Sequence, residues 1–234
     1  AAKPKVGLIS SGDEIIDPFK QTQPGQVRDI NAYTLASLVT KTGGEPILYG
    51  IVPDVRADLE STTRRALNEC DVVVITAGSS ASTRDMTADV IASLGEPGVL
   101  VHGINTRPGK PTILGVCNGK AVIGLPGNPV SALVNGYLFV VPVIERLLGE
   151  TPRPRPIIAA KLTVNLPSQA GREDWIPVKL IAQSGNAGSQ TFQAEPIFGK
   201  SNLIFTLTAA DGLLRIPPDV TGYGAGEMAE VVLF

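Results

Sequence analysis

Along the first 150 positions, apolar residues follow two patterns that alternate. Short apolar runs bounded by small or turn-forming residues are interleaved with stretches in which apolar side chains return every three or four positions. The first pattern is that of a strand, the second that of an amphipathic helix. Strands are predicted at Lys5 to Ser10 and Pro46 to Val52. A third is predicted at Asp71 to Thr76, whose run Val72-Val73-Val74-Ile75 suits a parallel strand buried on both faces. One helix is predicted from Asn31, read as its N-cap, with Leu35, Leu38 and Val39 on one face and Gly43-Gly44 closing it. Another runs over Arg56 to Glu69 through Leu59, Thr63 and Leu67. Asp85 is read as the N-cap of a third, Met86 to Leu94. Pro111 to Cys117 and Ala121 to Leu125 are predicted strands joined by a turn at Asn118-Gly119. Pro126-Gly127-Asn128-Pro129 then opens a long helix, Val130 to Gly149. This alternation predicts a three-layer α/β/α domain over residues 1–150, with a mostly parallel sheet and helices on both faces.

The pattern changes at Thr151-Pro152-Arg153-Pro154-Arg155-Pro156, where alternating prolines make a stiff extended linker. Beyond it come short strands at Ile157 to Leu166, Glu173 to Leu180, Thr191 to Pro196, Leu213 to Ile216 and Ala229 to Phe234, with a helical turn near Ser201 to Thr206. Residues 151–234 are therefore predicted to form a small all-β domain, a barrel or a sandwich.

Composition narrows the function. Of 234 residues, 43% are hydrophobic and 18% charged, enough to bury a sizeable core. A formal net charge of −2 gives no general electrostatic reason to bind nucleic acid or an anionic membrane. Cys70 and Cys117 lack metal-ligand spacing and read as buried thiols in a reducing cytoplasm. With His102 as the sole histidine, neither a His-rich metal site nor a Ser-His-Asp triad is expected. The most apolar stretch, Tyr137 to Ile144, is short and contains Pro142, so no membrane span is expected. The run Val6 to Ile9 is too short for a signal segment, and a chain opening so abruptly on a core strand reads as part of something longer.

In an open α/β sheet, ligands bind at the carboxyl ends of the strands. The segment just beyond each predicted strand therefore nominates a site: Ser11-Gly12-Asp13-Glu14, Pro53-Asp54, the loop Ala77 to Asp85, and Pro126 to Ser131. The loop carrying Gly78, Ser79 and Ser80 leads into a helix, a junction whose backbone N–H groups suit an anion. It also reads equally well as an ordinary loop, and it matches neither a Walker A motif nor a dinucleotide fingerprint. Asp13, Glu14, Asp54 and Asp85, if they converge, can hold a hard cation such as Mg²⁺ with substrate phosphates completing the shell. Taken singly, each reads as a turn or cap residue. Lys110, held between Gly109 and Pro111, is either a fixed cation for an anion or a turn lysine. In Pro126-Gly127-Asn128-Pro129, two prolines fix φ, Gly127 permits close backbone approach, and Pro129 starts the next helix.

These segments, taken with Asp29-Ile30-Asn31, Gly50 to Asp54, Pro108-Gly109-Lys110-Pro111 and Gly124 to Ala132, resemble the molybdopterin molybdenumtransferases, the MoeA-type proteins to which the gephyrin E domain is related. Gly171 to Asp174, Gly199 to Asn202 and Ala209 to Leu213 resemble that family's C-terminal β-domain, so the resemblance spans essentially the whole chain. It implies insertion of molybdate into adenylylated molybdopterin with release of AMP, assisted by Mg²⁺. By motif match, it implies that Asp54 and Asp85 handle metal and pyrophosphate, with Asp13 and Glu14 beside them. Gly78, Ser79 and Ser80 would cradle the pterin-side phosphate or the adenylyl group. Lys110 and Ser131 would contact molybdate or phosphate, and Pro126, Gly127 and Asn128 would shape the pocket. No covalent protein nucleophile is implied.

The chain departs from the family's glycine-rich loop at Ala77 and Ser82, where glycines are usual, and at Arg84. Arg107 stands where lysine is common. The family's two N-terminal domains, which contribute to dimerisation and to the cleft, have no counterpart in these residues, so a homodimer is expected of the full-length protein. Two other readings stay open: adenylylation of molybdopterin, against which the β-domain speaks, and a non-catalytic module that binds the pterin or an oxyanion.

Overall fold

The apolar run at Val72 becomes an inner strand of a six-stranded sheet in the computed structural model, which describes residues 2–77, 81–151, 154–184 and 190–234. The chain divides into two units, Ala1–Ile104 with Pro111–Pro152, and Asn105–Lys110 with Arg153–Phe234. In chain order the elements begin with β1 (Lys5–Ser11), β2 (Ile15–Ile16), β3 (Val27–Arg28), α1 (Asn31–Lys41) and β4 (Glu45–Val52). Then come α2 (Arg56–Glu69), β5 (Val72–Ala77), α3 (Ala81–Ser93) and β6 (Pro97–His102). The two-residue β7 (Thr106–Arg107) belongs to the second unit; β8 (Ile113–Cys117) and β9 (Lys120–Pro126) return to the first. A continuous helical span comes next: α4 (Pro129–Asn135), a π-helical turn (Gly136–Val140) and α5 (Val141–Leu147).

The sheet of the first unit runs β4-β1-β5-β9-β8-β6; its first four strands are parallel, and β8 and β6 are added antiparallel. Successive residues of β5 face opposite sides. Val72 and Val74 pack with Leu35, Val39, Val140 and Ile144, whereas Val73 and Ile75 pack with Leu59, Leu67, Val90 and Ile91. Helices thus cover both faces, giving the expected α/β/α layering. Each such aliphatic side chain contributes about 1.5–3 kcal/mol on burial.

Several boundaries differ from the sequence reading for identifiable reasons. Asn31 is the first helical residue of α1, not its cap; the Oδ1 of Asp29 accepts the Ala32 N–H at 3.1 Å instead. Asp85 lies in the second turn of α3, which begins at Ala81. Strand β6 has no counterpart among the predicted elements: it is an edge strand whose apolar run, Val99-Leu100-Val101, is short and bounded by Gly98 and His102. The turn at Asn118-Gly119 is as expected, with φ of 52° and 79° and Cys117 paired to Lys120, the doubly left-handed hairpin turn that favours Asn-Gly. The expectation that no segment is long enough for a membrane span is corrected. Pro129–Leu147 has 19 residues and a mean hydropathy of 1.4, which suffices by length and composition, although half of it is buried against the rest of the chain. Pro142 does not interrupt it: the proline directly follows the π-helical turn Gly136–Val140, and the helical span continues through it to Leu147.

The second unit contains β10 (Ile157–Leu162), β11 (Leu166–Pro167), β12 (Glu173–Ser184), β13 (Gln190–Pro196), α6 (Phe205–Thr208), β14 (Gly212–Ile216), β15 (Gly222–Tyr223) and β16 (Met228–Leu233). The order β13-β10-β16-β14-β12 closes on itself through β12–β13 pairing, so the unit is a barrel rather than a sandwich. Its interior is filled by Ala160, Leu162, Val178, Ala194, Leu214, Ile216 and Val231.

Candidate functional site

The four parallel strands of the first unit end level with one another. Val52 of β4 pairs with Ser11 of β1, Ser11 with Ala77 of β5, and Ala77 with Pro126 of β9. From β1 the chain passes through α1 to β4 on one side, then through α2 to β5 on the other. The boundary between β1 and β5 is therefore the point where strand order reverses, and in such sheets that crevice takes the ligand.

Two of the nominated acidic residues meet at this row. Ser11 Oγ donates to Asp54 Oδ1 at 3.0 Å, and the Asp54 amide donates to Asp13 Oδ1 at 3.0 Å. The Gly12 amide is tied to the Val52 carbonyl at 3.2 Å, which holds the two loops side by side. Asp13 is exposed, while Asp54 and Glu14 are half-buried. Asp85 is exposed on α3. Among the described residues, no three or more His, Cys, Asp or Glu side chains are close enough to hold a metal between them.

The start of α1 and the Pro126 to Pro129 turn are also joined. Asn31 Nδ2 donates to the Gly127 carbonyl at 2.8 Å; Asn31 is 5% exposed, and among the described residues its Oδ1 has no hydrogen-bond partner. A buried carbonyl oxygen without a donor costs about 1–3 kcal/mol, so a ligand donor reaching it would recover that energy. Pro126 closes β9 and is buried; Asn128 precedes α4 in an extended conformation with no side-chain cap; Ser131, at 5% exposure, lies in the first turn of α4. The sequence reading misses Asn31 as a site residue because it assigns the side chain to capping. The signal is present in the helical period: Asn31, Leu35 and Val39 succeed one another at intervals of four, and all three are buried.

Lys110 belongs to the second unit and is exposed; Gly109 before it has φ of +108°. Gly78, Ser79 and Ser80 lie outside the described residues, as do the side chains of Ser82 and Arg84. Ala77, where the family has glycine, ends β5 at 6% exposure. Cys70 and Cys117 are buried and not bonded to each other, and burial pushes both thiols up, which keeps them protonated and unreactive.

Residues 7–146 match the family model described as a probable molybdopterin binding domain, and residues 159–234 match the MoeA C-terminal region, domain IV. A putative molybdopterin biosynthesis protein of Methanocaldococcus jannaschii is 36% identical over 97% of this chain and 54% of its own length. A molybdopterin molybdenumtransferase of Haemophilus influenzae is 34% identical over 93% of this chain and 55% of its own. A crystal structure of the molybdopterin biosynthesis MoeA protein from Pyrococcus horikosii superposes with a TM-score of 0.83 at 41% identity, covering 99% of this chain and 54% of that one. The chain thus spans about half the length of the curated relatives it matches.

Proposed function

The chain belongs to the MoeA-type family of molybdopterin-binding proteins, and from that premise we propose that it is the core of a molybdopterin molybdenumtransferase. In this reading it takes adenylylated molybdopterin and molybdate, places molybdenum on the dithiolene sulfurs and releases AMP as the phosphoanhydride is hydrolysed. The observation that carries it is the level row of strand ends with Asp13 and Asp54 hydrogen-bonded into one group.

The donor set fits Mg²⁺. That ion binds through one or two carboxylates and completes its shell with water and substrate phosphates, so the carboxylates of two adjoining loops would suffice. Asp54, Asp13 and, in an outer role, Glu14 would hold it. Once bound, it would neutralise charge on the phosphoanhydride and on the phosphate of the departing AMP. Asp85 is assigned to the same pyrophosphate handling from the motif match. Gly78, Ser79 and Ser80, before α3, are assigned to phosphate contact through backbone N–H groups. Lys110 and Ser131 are assigned to the oxyanion, as fixed positive charge and hydroxyl donor. Pro126, Gly127 and Asn128 shape the pocket wall, and the unpartnered Oδ1 of Asn31 accepts from the ligand. The full-length protein is proposed to be a homodimer acting in the cytoplasm, where its buried free thiols stay reduced.

The test is release of AMP. Incubated with adenylylated molybdopterin, Mg²⁺ and molybdate, the protein is expected to release AMP in step with molybdenum incorporation. Consumption of ATP by molybdopterin would instead make it an adenylyltransferase, and pterin binding without AMP release would make it a non-catalytic module.

A further inference from the structure

We propose that Asp174, in the barrel unit, is a positioning residue for Lys110: through Arg107 its carboxylate anchors the segment Asn105–Lys110 to β12 and fixes where the lysine ammonium is presented. The proposal rests on the reading of Lys110 as an oxyanion contact.

Asp174 has no exposed side-chain surface, and both of its oxygens are engaged. Oδ1 lies 2.7 Å from Arg172 Nε. Oδ2 receives Arg107 Nη2 at 2.5 Å, Ser168 Oγ at 2.8 Å and Arg172 Nη2 at 3.2 Å. A buried carboxylate is tolerated only while it is compensated; Arg172 and Ser168 supply that on their own, so Asp174 stays in place and Arg107 is the group it holds. That matters because Arg107 belongs to a strand of two residues, too short to hold itself.

The backbone obeys the same anchor. Strand β7 pairs in parallel with β12, Thr106 opposite Glu173 and Arg107 opposite Asp174. The Glu173 amide donates to the Asn105 carbonyl at 2.9 Å, Thr106 Oγ1 donates to the Glu173 carbonyl at 3.0 Å, and Asn105 Nδ2 donates to the Gly171 carbonyl. Only Pro108 and Gly109 separate Arg107 from Lys110. Proline fixes its own φ, and Gly109 is buried at φ of +108°, a conformation that L side chains rarely adopt, so little freedom remains between anchor and lysine. The two guanidiniums also outnumber the single carboxylate, so the anchor leaves positive charge in the segment that carries Lys110, a field that favours an anion.

Asp174 variants risk unfolding the barrel, so the decisive variant is Arg107→Gln, which leaves Asp174 with Arg172 and Ser168. Molybdate affinity is measured calorimetrically for the wild type, Arg107→Gln, Lys110→Met and the double variant. The expected result is that Arg107→Gln weakens molybdate about ten-fold when Lys110 is present and less than about two-fold when it is absent, because the arginine acts through the lysine. Equal factors in the two backgrounds would overturn the proposal. Amide hydrogen exchange provides an arm that needs no ligand: in Arg107→Gln, residues 105–110 are expected to lose protection while β10, β14 and β16 keep theirs. Unchanged exchange in that segment would overturn the anchor. A wild type that binds no molybdate would sink the reading of Lys110 as an oxyanion contact, while the exchange result would still decide the anchor.

Discussion

Asp174 and the pair Asp13–Asp54 use the same functional group in opposite surroundings. Asp174 has no exposed side-chain surface, and its two oxygens are consumed by Arg172, Arg107 and Ser168. Asp13 and Asp54 stand at strand ends, one exposed and one half-buried, and among the described residues their carboxylates accept from a single amide and a single hydroxyl, both on Oδ1. A carboxylate surrounded by guanidiniums has no acceptor capacity to offer anything from solution; its energy goes into holding a segment in place. A carboxylate that is oriented by one donor but open to water can still ligate a cation. The difference between scaffold and site thus lies in donors and exposure, not in residue type.

The largest expected contrast is in stability. Asp174→Ala leaves Arg107 and Arg172 without their partner and is expected to cost about 3–5 kcal/mol in urea denaturation, whereas a loss under about 1 kcal/mol would put Asp174 in the same class as the open pair. Asp54→Ala removes one acceptor from the buried Ser11 hydroxyl and is expected to cost only about 1–2 kcal/mol by the same measurement. Smaller still, Asp29→Ala removes the oxygen that accepts the Ala32 amide, for a loss of about 1 kcal/mol; no loss would return the capping role to another group.

The smallest effect lies outside both acidic groups. Burial raises the Cys70 and Cys117 thiols, and burial also raises the Tyr49 hydroxyl, assisted by its hydrogen bonds to Cys70 and Glu69. Below about pH 8.5 the thiols are protonated in both folded and unfolded chains. Above it the unfolded thiols ionise first, the unfolded state binds fewer protons, and stability falls as pH rises. Urea midpoints at pH 7 and at about pH 9.5 are expected to show that decline, and equal midpoints would contradict the buried placement of the thiols.

Much of this is legible in the sequence because the relevant signals are local. The run at Val72, the period of Arg56–Glu69 and the Asn118-Gly119 turn each specify their element without help from distant residues. The segments just beyond the strands also contain Asp13 and Asp54, and parallel strands bring their ends to one row. The hidden part depends on partners far apart in the chain. The tie between Asn31 and Gly127 spans 96 positions, and nothing local says that the amide turns inward rather than capping its helix. The placement of Asn105–Lys110 with the barrel depends on Arg107 meeting Asp174, a long-range ion pair that no periodicity announces. Strand β6 escapes because its apolar run, Val99-Leu100-Val101, is shorter than the runs that mark the inner strands.

Calorimetric titration of the protein with AMP, with and without Mg²⁺ and repeated on Asp54→Asn, bears most directly on the row of strand ends as a ligand site. Binding that requires Mg²⁺ in the wild type and is lost in a folded Asp54→Asn variant is the expected result. Binding that is indifferent to Mg²⁺, or that survives Asp54→Asn unchanged, would contradict it.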